Sequence, residues 1–187
     1  MSETSQSSDT WDDKLLSDLI NHIVDTHHAF CRHELAKLSL LFKEAITRHG
    51  KDLPELKRLE ALFAKMAKDL QMHLVKEEQT LFPYIARVED AVQHNAPVSW
   101  PAFGTVENPI RMMVMEHDQT GDELRQIRRL SNNYAPPLGA TESLAALYDS
   151  LRTFDRDMAA HIYAEDRLLF PRAIAIEEQA CTRKKPM

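Results

Sequence analysis

The sequence predicts an all-α fold, an antiparallel up-down four-helix bundle made of two tandem helical hairpins. Three observations carry this expectation. Four long segments repeat apolar residues at three and four places, the period of a helix with one buried face. Only four glycines occur in 187 residues that are 43% hydrophobic and 28% charged, a composition suited to long helices rather than to a turn-rich sheet. One phrase is also written twice, as HLVKEEQTLFP from His73 and as HIYAEDRLLFP from His161.

A chain of this length can bury one core without staples. Residues 1–12 read as a disordered polar N-terminus, 13–179 as the bundle and 180–187 as a basic tail. The first helix, over about 12–49, carries Leu15, Leu19, Ile23, Leu35, Leu38 and Phe42 and closes at Gly50, a residue common at helix ends. The second, over about 54–90, opens on Pro54, whose missing N–H costs nothing in a first turn, and runs through Leu59, Phe63, Met66 and Leu70. The linker NAPVSWPAFGTVEN follows, with Trp100 and Phe103 read as a cap over an apolar bundle end. The third helix runs over about 109–131 from Pro109, SNNYAPPLGA turns the chain, and the fourth covers about 140–179. Short, longer and short connections give an antiparallel order. Pro83 and Pro171 lie inside the second and fourth helices and are expected to kink or break each of them.

The net charge of −6 excludes a general binder of nucleic acid or anionic membrane, which needs a positive field. No 18-residue apolar run occurs, and MSETSQSSDTWDD lacks the basic and apolar parts of a signal peptide, so the expected location is cytoplasmic. Cys31 and Cys181 stand far apart with no CxxC spacing and read as reduced thiols, Cys31 packed in the core. No GxSxG elbow is present for a nucleophilic hydrolase. The MMVM run at 112–115 reads as core packing.

The repeat extends beyond the quoted phrase. HAFCRHEL from His28 and HDQTGDEL from His117 share H-x5-E-L, and the steps His28 to His73 and His117 to His161 are 45 and 44 residues. Residues equally far before and after a hairpin turn lie level, because a helix rises about 1.5 Å per residue. Reflection through the two turns and the linker brings His28, His73, Glu77, His117, His161 and Glu165 to one layer. His73/Glu77 and His161/Glu165 are i,i+4 pairs, so each presents both side chains on one face. Burying four imidazoles and two carboxylates without compensation is costly. Two metal ions remove that cost, each held by two histidines and both bridged by Glu77, Glu165 and a solvent-derived oxygen. A nitrogen and oxygen donor set without thiolate suits iron and is compatible with manganese or zinc. Ferritin-like oxidases differ, since their helices carry E-x-x-H at i,i+3.

The remaining histidines read as surface or supporting groups. His22 and His94 lie away from the layer, His27 points off the face of His28, and His33 is the nearest reserve. His49 stands roughly 31 Å along the helix from His28. Glu78 and Asp166 read as acceptors for ligand N–H groups, and Glu116 as a similar acceptor or a labile ligand. Leu81, Phe82, Leu169 and Phe170 are expected to seal one end of the site.

Over roughly 15–178, the stretches INHIVDTHH, HLVKEEQTLFP, EHDQTGDEL and HIYAEDRLLFPRA resemble the hemerythrin-like (HHE cation-binding) domain, in particular the di-iron domain of the repair-of-iron-centres family. That resemblance implies a four-helix bundle holding two iron ions joined by an oxo or hydroxo bridge, with His28, His73, Glu77, His117, His161 and Glu165 as ligands. It further implies a role in nitrosative and oxidative stress, binding nitric oxide, oxygen or peroxide and supplying iron to damaged iron–sulfur proteins. A non-catalytic carrier, store or sensor of a diatomic gas is the alternative. Whether turnover occurs stays open at this point. Members of the repair family commonly carry an N-terminal cysteine-bearing domain, where this sequence has about a dozen polar residues. Oxygen-carrying hemerythrins have a further histidine one turn before the third-helix ligand, where this sequence has Met113, which implies a more open coordination.

Overall fold

The computed structural model describes residues 11–182. Most of the polar stretch expected over 1–12 and of the basic tail expected over 180–187 lies outside these residues. Trp11–Asp13 forms a short 3-10 turn, and the last helix continues to Thr182.

Four helical rods make the bundle, and three of them contain a widened π turn. The first rod joins α1 (Leu16–His22), a π turn at Ile23–His28, and α2 (Ala29–His49). The second joins α3 (Glu55–Lys76), a π turn at Glu77–Leu81, and α4 (Phe82–Gln93). The third is α5 (Glu107–Leu130) alone. The fourth joins α6 (Glu142–Tyr163), a π turn at Ala164–Leu169, and α7 (Phe170–Thr182). Among the described residues no strand occurs, and no helix is long and apolar enough to cross a membrane.

Pro83 and Pro171 directly follow π turns that interrupt the regular α-helix, a local break where one was expected, though each rod continues beyond it. The N–H of Phe82 reaches back five residues to Glu77 O, and that of Phe170 reaches Glu165 O in the same way. Such a turn already leaves one carbonyl without its usual amide, so a residue lacking N–H costs least directly after it. Pro109 likewise sits in the first turn of α5, where amides have no intrahelical partner.

In the first rod the backbone is extended at Leu15, so the helix begins at Leu16 rather than near residue 12. Gly50 is right-handed at φ −65°, and a Cβ there would stand 2.5 Å from Ile46 O; close approach, not a left-handed turn, requires the glycine. The second hairpin does use left-handed residues, at Asn132, Asn133 and Tyr134 with φ of 49°, 58° and 58°. Tyr134 is bulky for that conformation. Its hydroxyl donates to Asp155 Oδ2 at 2.8 Å and its carbonyl accepts from Arg152 at 2.6 Å, which holds the turn.

Apolar residues at helical spacing bring the rods together. α2 packs on α3 and α6, α3 on α5, and α4 on α1 and α7. One core gathers Leu35, Leu38 and Phe42 from α2, Leu59, Phe63 and Met66 from α3, and Leu151, Phe154 and Met158 from α6. A second gathers Leu19, Tyr84, Ile85, Val88, Ile110 and Ala173 at the other end. Each fully buried large side chain contributes about 1.5–3 kcal/mol. Between the two cores lies a layer of buried histidine and glutamate.

Two remote carboxylates fix where rods begin. Glu89 accepts the amides of Leu16 at 2.5 Å and Ser17 at 2.9 Å. Glu177 accepts the Val106 amide at 2.9 Å and the Tyr84 hydroxyl at 2.6 Å. The linker cap is half as expected: Phe103 meets the Tyr84 ring edge-on at 5.1 Å, whereas Trp100 is more than a third exposed. The Met run also divides, because successive helical residues point about 100° apart: Met113 is buried, while Met112 and Met115 are 51% and 66% exposed.

Candidate metal centre

The structure brings all six candidate ligands into the layer between the cores. Each π turn abuts or contains one of them: His28 ends the first, Glu77 begins the second, and Glu165 lies in the third. Widened turns of this kind re-aim side chains and recur at functional sites. Two overlapping groups result, His28/Glu77/His161/Glu165 and His73/Glu77/His117/Glu165, each with donor atoms within 4.8 Å of one another. Both glutamates belong to both groups, and all six residues are buried.

The histidines meet through Nε2. Those of His28 and His161 stand 3.1 Å apart, as do those of His73 and His117. Glu165 spans the groups, with Oε1 2.9 Å from His161 Nε2 and Oε2 3.0 Å from His117 Nε2. Glu77 Oε2 lies 3.3 Å from His73 Nε2 and 3.5 Å from His28 Nε2.

Three outward Nδ1 atoms meet carboxylates. His28 donates to Glu78 at 2.7 Å, His117 to Asp166 at 2.8 Å and His73 to Glu116 at 2.9 Å. Such bonds hold the ring proton on Nδ1 and turn the Nε2 lone pair inward. Glu78 and Asp166 thus take the expected supporting place. Glu116 does so too, anchored by Lys76, rather than pointing into the layer.

The Leu-Phe-Pro endings act on the same rings. Phe82 stacks on His28 with centroids 5.6 Å apart, and Phe170 lies nearly parallel to His117 at 6.0 Å.

The protein alone balances this layer poorly. Burial, with Glu165 opposite, pushes the Glu77 carboxyl well above its ordinary range. Glu165 is held well below, because the charge of His161 and hydrogen bonds from His117, His161 and His28 outweigh the cost of its burial. Burial and the charge of His117 drive His73 down to about 4. Burial also opposes charge on His117, but bonds to Asp166 and Glu165 raise it to about 9. Neither oxygen of Glu77 has a hydrogen-bond partner. A buried carboxyl group without hydrogen-bond partners, beside two closely paired sets of imidazole nitrogens, is a cost that cations facing both groups remove by displacing the protons held there. The residues present therefore fit a pair of metal ions.

Of the other histidines, His33 and His94 are exposed, His22 is half-buried, and His49 bonds Thr141 Oγ1 at the far end of the bundle. His33 was the expected reserve, yet His27 is the residue that reaches the layer. It is buried, bonded to Asp157 Oδ1 at 3.0 Å, and its ring lies parallel to that of His161 at 5.6 Å. It leaves the face of His28, as expected, but does so toward a ligand of the neighbouring rod. The repeat held a signal for this, since His27 precedes His28 as Glu116 precedes His117.

Two clefts open beside the layer. One, of about 250 Å³, is lined by Asp69, Met72, His73, Lys76 and Glu116. The other, of about 400 Å³, lies between α5 and α6 and is lined by His117, Gly121, Leu124, Arg125 and Ala159.

The family model for the hemerythrin HHE cation binding domain matches residues 19–173. Curated relatives include the iron-sulfur cluster repair protein YtfE of Yersinia pseudotuberculosis strain PB1/+, 33% identical over 169 residues, which cover 90% of this chain and 70% of that protein. The protein of the same name in strain YPIII is 35% identical over 170 residues, with the same coverage. Its namesake in Yersinia pestis strain Pestoides F is 33% identical over 169 residues, again covering 90% and 70%.

Proposed function

The chain belongs to the hemerythrin HHE cation-binding family, and from that premise we propose that it is a non-haem di-iron protein of the nitrosative and oxidative stress response that supplies iron for repair of iron–sulfur clusters. Its relatives, iron-sulfur cluster repair proteins by name, support the repair role. The observation that carries the reading is the sharing of Glu77 and Glu165 between two buried histidine pairs. One position is assigned to His28 and His161, the other to His73 and His117, with both glutamates common to the two. When bound, the iron pair supplies redox chemistry and open coordination for nitric oxide, oxygen or peroxide.

The protein's own residues do the rest. Glu78, Asp166 and Glu116 fix three rings with Nε2 inward. Phe82 and Phe170 stack on His28 and His117, and the two apolar cores keep bulk water from the layer. The cleft over His117 gives a small neutral ligand a partly apolar approach, while in the cleft over His73 the carboxylates of Asp69 and Glu116 are paired with Lys65 and Lys76.

Transfer of iron tests the repair role. Iron-loaded protein incubated anaerobically with an apo iron–sulfur protein and sulfide should restore the acceptor's cluster absorption. Reversible nitric oxide binding with no transfer would instead favour the carrier, store or sensor of the hemerythrin type.

A further inference from the structure

The second half of the chain repeats the first at an offset of 88 or 89 residues, and supporting groups follow as well as ligands. His28 matches His117, His73 matches His161, Glu78 matches Asp166, Phe82 matches Phe170 and Glu89 matches Glu177. One supporting position breaks the rule. Glu116, which accepts from His73 Nδ1 at 2.9 Å, is matched by His27. His161 Nδ1 is accordingly buried with no hydrogen-bond partner. The side chain that should serve it instead lays its ring parallel to His161 and turns its own Nδ1 to Asp157.

We propose that His27 is a positioning residue that makes the two metal positions unequal, the His28/His161 position holding its ion more weakly than the His73/His117 position. This rests on the di-iron reading and deepens it, since it names which ion leaves first. A carboxylate on Nδ1 both orients a ligand imidazole and raises the donor strength of Nε2, and removing such a partner typically costs 10–100-fold in metal affinity. At the His73/His117 position both rings have that support, from Glu116 and Asp166. At the other position His28 has it from Glu78, while His161 has only the face of His27. Stacking fixes the plane of a ring without strengthening its donor atom.

The full chain loaded anaerobically with iron(II) is challenged with a chromogenic chelator, and release is followed in time. Wild type should lose its iron in two phases of equal amplitude, the fast one about 10–100-fold faster. His27→Glu places at the repeat-equivalent position the carboxylate that Glu116 supplies in the other half, and should slow the fast phase toward the slow one. His27→Ala should leave that phase fast. The mirror variant Glu116→His should speed the slow phase and needs no change at residue 27. Mössbauer spectra of 57Fe-loaded protein should show two unequal iron environments in wild type that converge in His27→Glu. Two irons per chain released in one phase, or in two phases that neither His27→Glu nor Glu116→His alters, would overturn the inference and leave the di-iron reading standing. Fewer than two irons per chain would overturn both.

Discussion

The ring N–H of His117 at Nδ1 donates to Asp166 Oδ1 at 2.8 Å, and this bond decides which nitrogen faces the layer. Asp166→Asn weakens the acceptor and frees the ring to flip. Metal affinity, read by competition with a chelator, should fall about 10–100-fold. Far-ultraviolet circular dichroism of the metal-free variant should match wild type, because Asp166 is only partly buried.

Phe170 tests the reading of the repeated Leu-Phe-Pro phrase. It is buried in the second core and stacked on His117. Phe170→Ala should lower the unfolding free energy of metal-free protein by about 3–5 kcal/mol, measured by urea titration. Phe170→Leu keeps most of the volume and should cost less than half as much while still perturbing the metal spectrum.

Glu177 joins three parts of the chain, holding the Val106 amide and the Tyr84 hydroxyl. Glu177→Ala should destabilise by about 1–3 kcal/mol, because two buried donors lose their acceptor. Tyr84→Phe removes only the hydroxyl and should cost about 1 kcal/mol.

Metal uptake should depend on pH. In metal-free protein His117 carries a proton up to about pH 9, and the Glu77 carboxyl is held protonated well above its ordinary range. Both protons must leave for the side chains to act as ligands. Affinity should therefore rise as pH goes from 6 toward 9, with proton release on metal addition to weakly buffered protein at pH 7. A pH-independent affinity over this range would contradict these protonation states.

Cys31 is buried, and burial with the neighbouring Asp157 charge pushes its thiol up to about 12. At pH 8 it should stay unreactive toward a thiol reagent, since the thiolate is the nucleophile. Folded protein should titrate one thiol per chain, the exposed Cys181, and unfolded protein two.

Much of the fold and site was legible in the sequence for reasons that can be named. The i,i+4 spacing of His73/Glu77 and His161/Glu165 fixes a shared face, and equal hairpin arms fix depth, so the six residues could be placed in one layer from arithmetic alone. The π turns were not legible, because five or six residues of altered pitch barely disturb an apolar pattern of period 3.6. Glu89 and Glu177 were missed because their partners are amides 73 and 71 residues away, with no local motif between. His27 points off the face of His28 on its own helix, and the contact that brings it to the layer is supplied by α6, which local spacing does not show. Met112 and Met115 are exposed because a run of four consecutive helical residues spans more than one face.

Metal content of wild type and of the Glu77→Ala and Glu165→Ala variants, after iron-replete expression, tests the shared-glutamate centre most directly. Two irons per chain in wild type, with both lost or loosened by either single change, is the predicted result. One iron or fewer in wild type, or full iron content in either variant, would contradict it.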